Sequence, residues 1–321
     1  MTKPSNDAPT WYLAAVSMFK NEAQHLDEWL GFCVSEGIEH VLLYDNRSTD
    51  NFRAVLAPWI AAGIVELFDW PTPYDSGAQT MAHKDALIQL RGRARWAAFI
   101  DIDEFLFSPT GQSLPEMMRD YEDHAGVIAN WQCYGTSGHD LRPTGLTIEN
   151  YTRRAKTEWV RNRRVKTIVD PYLAVEPRGP HMFEVQPGQS LVTENMIPVR
   201  TVRAAKWHGQ LRHLAASSPY FPIDPYSIHE PSTKQVSTAK FRINHYVTRS
   251  HEDLRVKYKD RNTMLDRDRR SYSRYHDRNE VEDNVLASKA VRVREIIACV
   301  RDGRPMKRWL PEAGSDAVSD Y

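Results

Sequence analysis

At 321 residues the chain has room for one large domain or two modest ones, and 41% hydrophobic with 10% aromatic content marks a globular protein with a core. Lys plus Arg and Asp plus Glu both number 42, so no net field favours nucleic acid or an anionic membrane. Cys33, Cys133 and Cys299 are too few and too far apart for a disulfide scaffold, and suit a reducing cytoplasm. The polar stretch 1–10 is followed by no leader-like apolar region, and no apolar run approaches the ~18 residues of a bilayer span. The expectation is a soluble, cytoplasmic protein, with peripheral contact as the remaining membrane role.

In chain order, Tyr12 to Met18 reads as a first strand. Leu26, Trp29, Leu30, Cys33 and Val34 then recur at helical spacing, with Gly37 as the stop. His40 to Tyr44 is a second strand running into Asp45-Asn46-Arg47-Ser48-Thr49-Asp50. Phe52, Val55, Leu56, Trp59 and Ile60 outline a second helix, and Val65 to Trp70 a third strand. A loop from Pro71 to Gly77 precedes a helix over about 78–93. Alternating strands and helices predict a parallel sheet flanked by helices, with ligands beyond the carboxyl ends of the strands. The apolar faces of the helices are read as core.

The most informative stretch is Trp96-Ala97-Ala98-Phe99-Ile100-Asp101-Ile102-Asp103-Glu104-Phe105. Its apolar run reads as a strand buried on both faces. In an extended chain Asp101 and Asp103 project to one side. Like charges so placed need a cation between them, and Mg²⁺ or Mn²⁺ carrying a diphosphate is the usual one. Lys20-Asn21-Glu22, Asp45-Asn46 and Asp101/Asp103 all fall at strand carboxyl ends. Ser113-Leu114-Pro115-Glu116 has capping-box spacing and predicts a helix start, and Val127 to Trp131 another strand. Gly135 to Asp140 reads as a flexible polar loop. From about 145 to 240 the chain suggests short strands and long loops. Arg242 to Thr248 is predicted as a strand, with a helix from Ser250 and another over Val281 to Val300 whose apolar side is Val285, Val291 and Ile296. The tail 311–321 is expected to be disordered, as is 1–10.

Phe19-Lys20-Asn21-Glu22, Glu28-Trp29-Leu30, Tyr44-Asp45-Asn46, Ser48-Thr49-Asp50 and Asp101-Ile102-Asp103-Glu104-Phe105 together resemble GT-A type glycosyltransferases of the family 2-like and family 92-like groups. Gly135-Thr136-Ser137-Gly138-His139, Lys166-Thr167-Ile168-Val169, Gly179-Pro180-His181-Met182-Phe183 and Asn244-His245-Tyr246 resemble the family 92-like group in particular. The likeness covers roughly residues 11–260. It implies an α/β fold of the GT-A, Rossmann-like kind: a mixed, mostly parallel sheet flanked by helices over 11–249, with a helical C-terminal extension over 250–310. It also implies transfer of a hexose from a nucleoside-diphosphate sugar, UDP by preference, to a saccharide or other hydroxyl acceptor, with inversion, as in polysaccharide biosynthesis. By matching position, Asn21, Glu22 and Asp45 would contact the nucleoside, Asp101 the ribose, and Asp101, Asp103 and His245 the metal and diphosphate. Family 2 commonly has two acids and a Gly where this chain has Asp45-Asn46-Arg47, and its acidic base has no clean counterpart here.

Inverting transfer needs a carboxylate to take the acceptor proton, and Asp140 is the candidate, with Glu158, Glu184 and Glu194 as competitors. His139 and His181 sit beside glycines, where a side chain can approach a ligand. Arg153, Arg154, Lys156, Arg161, Arg163, Arg164 and Lys166 form a basic cluster around Trp159, read first as a solvated face, with a nucleic-acid or diphosphate contact as alternatives. Two other functions compete. A metal-dependent nucleotidyltransferase would want a Gly-rich loop after the first strand, and none is there. A non-catalytic carbohydrate- or RNA-binding protein would not need Asp101 and Asp103.

Overall fold

A computed structural model describes residues 8–199, 232–261 and 272–305; parts of the expected tails, of the 145–240 region and of the C-terminal helical region lie outside these. The first half follows the predicted alternation. Strand β1 (Trp11–Phe19) leads to helix α1 (Ala23–Ser35), β2 (His40–Asp45) to α2 (Phe52–Ala61), and β3 (Val65–Asp69) to α3 (Ala78–Leu90) and β4 (Ala94–Phe99). Strand β5 (Glu104–Phe107), helix α4 (Leu114–Met118) and β6 (Gly126–Cys133) come next. Helix α4 begins with the predicted box: Ser113 accepts from the Glu116 amide while Glu116 accepts from the Ser113 amide at 2.7 Å.

The later chain is built of short pieces. They are α5 (Thr147–Asn150), β7 (Arg153–Arg154), β8 (Val165–Val169), β9 (Ala174–Arg178), β10 (Met182–Val185), β11 (Leu191–Thr193) and β12 (Pro198–Val199). After these come β13 (Arg242–His245), α6 (His251–Arg261), β14 (Val281–Glu282) and α7 (Ala290–Arg301). The main sheet runs β12-β11-β6-β8-β4-β1-β2-β3, with β13 and β5 joined to it through β6. Strands β1, β2, β3 and β4 are mutually parallel neighbours, whereas β8 is antiparallel to both β4 and β6. The sheet is thus mixed, mostly parallel and flanked by helices.

Helices α1, α2 and α7 cover one face through Leu26, Trp29, Trp59, Val293 and Ile296, and α3 covers the other through Ala82, Ala86, Leu87 and Leu90. α1 and α7 approach so closely that a Cβ on Gly31 would lie 3.0 Å from Ile297 Cγ1 and 3.2 Å from Val293 Cγ1. Residues after 250 are therefore no appendage: Leu286, Ala290, Val293 and Ile296 belong to the same core as β1 and α1. The expected helix over Val281 to Val300 is interrupted, and its buried side is Val293, Ile296 and Val300. Val285 and Val291 are exposed, Val291 by 65%. Among the described residues, no helix is long and apolar enough to cross a membrane.

Candidate functional site

The carboxyl ends of β1, β2 and β4 converge because their registers pair Phe19 with Asp45 and Val16 with Phe99. Beyond them, Asp101 to Asp103 form a turn rather than an extended strand, and Glu104 opens β5. The turn is pinned from distant parts of the chain. Arg249 donates to the Ile102 carbonyl at 3.0 Å, the Tyr246 amide to the Asp103 carbonyl at 2.8 Å, and the Trp29 indole to the Glu104 carbonyl at 2.9 Å. Buried carbonyls so paired carry no desolvation penalty, which fixes the turn in one shape.

A cavity of about 400 Å³ opens over this turn. Glu22, Asn46, Gln79, Asp101, Asp103, His245, Lys257 and Tyr272 are among its lining. Asp101 accepts from Lys166 Nζ at 2.8 Å and from Gln79 at 2.7 Å. Asp103 accepts from Lys257 and faces His245 Nε2 at 3.6 Å. Each acid of the pair thus has its own ammonium group. Burial would raise the Asp103 pKa, but Lys257, His245 and Arg249 outweigh it and hold the carboxyl well below the usual range. For Asp101, burial is likewise overcome, here by Lys166. The Lys166 side chain is 1% exposed, and although burial works against its charge, the Asp101 carboxylate keeps it protonated. Glu104 is the exception. Burial, with Asp101 and Asp103 nearby, lifts its pKa well above the ordinary value despite Lys166, favouring the neutral acid.

Among the described residues, no three His, Cys, Asp or Glu side chains are grouped to hold a metal ion. Asp103 and His245 do offer two donors side by side. That set fits a hard cation that takes most of its ligands from substrate phosphates and water. Asp101, committed to Lys166 and Gln79, adds nothing to it as the side chains stand.

The other sequence-selected residues divide. Glu22 lines the cavity and accepts from Arg249 at 3.0 Å. Asn21 lines only a small adjoining pocket; at φ 53° it accepts from the Thr49 amide at 2.7 Å and its own amide donates to Ser48. Asp45 lines neither cavity and accepts from the Ser48 amide at 2.9 Å. Asn21 therefore laces the loop after β1 to the loop after β2, and Asp45 closes the turn at the end of its own strand. Glu28 of the Glu28-Trp29-Leu30 motif is buried and caps α5, accepting from the Thr147 and Ile148 amides at 2.8 and 3.0 Å.

Asp140 is exposed and lines neither cavity; its carbonyl accepts from the Glu252 amide. Its loop is anchored instead of free, because the Thr136 and Ser137 amides donate to Asp277 and Asn279. A Cβ on Gly135 would lie 2.4 Å from the Arg278 carbonyl oxygen, so only glycine admits that approach. His139 is held by the Asn150 carbonyl and the Tyr151 ring. His181 is buried against the Val165 carbonyl, and burial followed by Lys166 lowers its pKa to about 3. Of the competing bases, Glu194 is bound by Ser237 and the amides of Ala239, Lys240 and Phe241, Glu184 pairs with Arg178, and Glu158 is exposed. Sequence reading did not single out Lys257, Arg249 or Gln79. Lys166 appeared within the basic cluster and the Lys166-Thr167-Ile168-Val169 motif, with no sign of its partner Asp101, 65 residues away.

The glycosyltransferase family 92 model matches residues 14–258. A glycosyltransferase family 92 protein of Ricinus communis is 29% identical over 131 residues, covering 40% of this chain and 23% of that protein. One from Oryza sativa subsp. japonica is 28% identical over 163 residues, covering 50% and 27%. A galactan β-1,4-galactosyltransferase of Arabidopsis thaliana is 31% identical over 111 residues, covering 32% and 21%. These alignments span about a quarter of the relatives' length. Among solved structures, residues 1–349 of S. aureus TarS align at 16% identity with a TM-score of 0.33, covering 50% of this chain and 48% of that one.

Proposed function

The chain belongs to glycosyltransferase family 92, and from that premise we propose that it transfers a hexose from a nucleoside-diphosphate sugar, preferably a UDP-sugar, to a hydroxyl of a saccharide. The observation that carries the reading is the ion-paired Asp101/Asp103 turn at the floor of a cavity beyond the carboxyl ends of β1, β2 and β4. In open α/β sheets ligands bind at such strand ends. A cavity of about 400 Å³ lies within the range of small-molecule sites. The acids alone would repel a diphosphate; Lys166 and Lys257 offset that charge.

A divalent cation, Mn²⁺ or Mg²⁺, belongs to the proposal, with Asp103 and His245 as the residues that would hold it. When bound it would supply positive charge to the leaving diphosphate. The protein's own share is positioning. Gln79 and Lys166 hold Asp101, Arg249 holds Glu22 and the Ile102 carbonyl, and Trp131 packs on the His245 ring at 4.2 Å between centroids. Inverting transfer requires a group to accept the hydroxyl proton. The carboxylates at the cavity are Glu22, Asp101 and Asp103, and Asp140 is not among them.

The test is release of nucleoside diphosphate from a panel of sugar nucleotides, with and without Mn²⁺ and with mixed oligosaccharide acceptors. Turnover of one or more sugar nucleotides that needs the divalent ion supports the reading. Turnover only of nucleoside triphosphates, releasing pyrophosphate, would replace it with nucleotidyl transfer.

A further inference from the structure

We propose that Lys257, which pairs with Asp103, is a donor-phosphate ligand and competes with the divalent cation for that carboxylate. The inference rests on the nucleotide-sugar reading and adds to it a residue from α6, beyond the expected end of the transferase domain.

Lys257 lines the large cavity, its side chain is 21% exposed, and its ammonium donates to Asp103 Oδ2. Lys166, by contrast, is almost wholly buried and held by Asp101, Glu104 and the Pro180 carbonyl. One ammonium is therefore built into the floor, and the other stands at its wall with access to a ligand. The base of the Lys257 helix is firmly set. Ser250 and Asp253 form a reciprocal cap, and Arg142 pairs with Asp253. The ammonium sits about two turns from that anchor at the end of a flexible four-carbon stem, so it can leave Asp103 without the helix unfolding.

Asp103 Oδ2 is also the oxygen that faces His245 Nε2, the other donor of the candidate cation site. A cation arriving there must displace Lys257. The freed ammonium then lies beside the place where a diphosphate would meet the cation, and forms a charge-assisted bond to it. This gives Lys257 two opposite effects: it weakens binding of the cation alone and strengthens binding of the diphosphate.

The experiment titrates the intact chain and its Lys257→Gln and Lys257→Arg variants by calorimetry with UDP in saturating Mn²⁺, and by free-Mn²⁺ electron paramagnetic resonance with Mn²⁺ alone. Apo melting curves establish that each variant is folded. Lys257→Gln is expected to lose about tenfold or more in UDP affinity in saturating Mn²⁺ and to bind Mn²⁺ alone more tightly than the parent. Lys257→Arg should keep most of the diphosphate affinity. Unchanged diphosphate affinity in Lys257→Gln, or Mn²⁺ binding that is unchanged or weaker, overturns the inference and leaves the donor reading standing. Failure of the parent chain to bind UDP under any condition, Mn²⁺ included, removes both.

Discussion

Replacing Glu194 by Gln should cost the fold about 1.5 to 3 kcal/mol, and the two oxygens of this side chain show why. Glu194 is 2% exposed. Oε1 accepts from Ser237 Oγ and from the Ala239 amide at 2.9 Å, and Oε2 accepts from the Lys240 and Phe241 amides at 2.8 and 2.9 Å. A carboxamide keeps one acceptor oxygen and turns the other into a donor; with its oxygen toward the Lys240 and Phe241 amides, the Ser237 hydroxyl can turn to accept from the NH₂, and the Ala239 amide is left facing a donor. Each lost bond to a charged acceptor is worth about 1.5 to 3 kcal/mol. Even one such loss is a sizeable part of a typical stability of about 5 to 15 kcal/mol. Residues 237–241 also lead directly into β13, which carries His245. Urea unfolding of parent and variant measures the loss. A difference below about 1 kcal/mol would refute the clamp and return Glu194 to the list of candidate bases.

Glu104→Gln tests the buried acid beside Lys166. The folded pKa of Glu104 is raised, so its contribution is present below the ordinary carboxylate pKa and is lost as pH rises through the folded value. The variant should therefore gain on the parent as unfolding is followed from about pH 5 to pH 8; parallel curves would contradict the neutral acid. Asp140→Asn should lower kcat by less than about tenfold, whereas loss of a general base costs about 10²-fold or more. A steady-state assay on the identified donor shows which holds.

The first hundred residues were legible because apolar periodicity and local punctuation decide them. β1 to β4, α1 and α2 fall where alternation put them, and the Ser113 box starts α4 as its spacing demanded. The place of the Asp101 and Asp103 pair beyond a strand end was legible because an apolar run ended in acids. The shape of the turn was not, since it is set by Trp29, Tyr246 and Arg249 from three other segments. Lys257 meets Asp103 across 154 residues, a pairing for which composition and period carry no signal. The same limit explains the motif residues Glu28, Asn21 and Asp45. Their partners are loop amides, and amides look alike in any sequence. Val291 was misplaced because the helix begins only at Ala290, so Val285 lies outside it and sets no helical phase, and Val293, Ile296 and Val300 turn inward.

Calorimetric titration of UDP into the parent chain and Asp103→Asn, each with Mn²⁺ and with EDTA, tests the central claim most directly. The parent should bind UDP more tightly with Mn²⁺, and Asp103→Asn should lose most of that increment, because Asp103 is the proposed ligand of the cation and the partner of Lys257 and His245. Equal affinity of the parent in Mn²⁺ and EDTA would contradict a metal-diphosphate site at this turn.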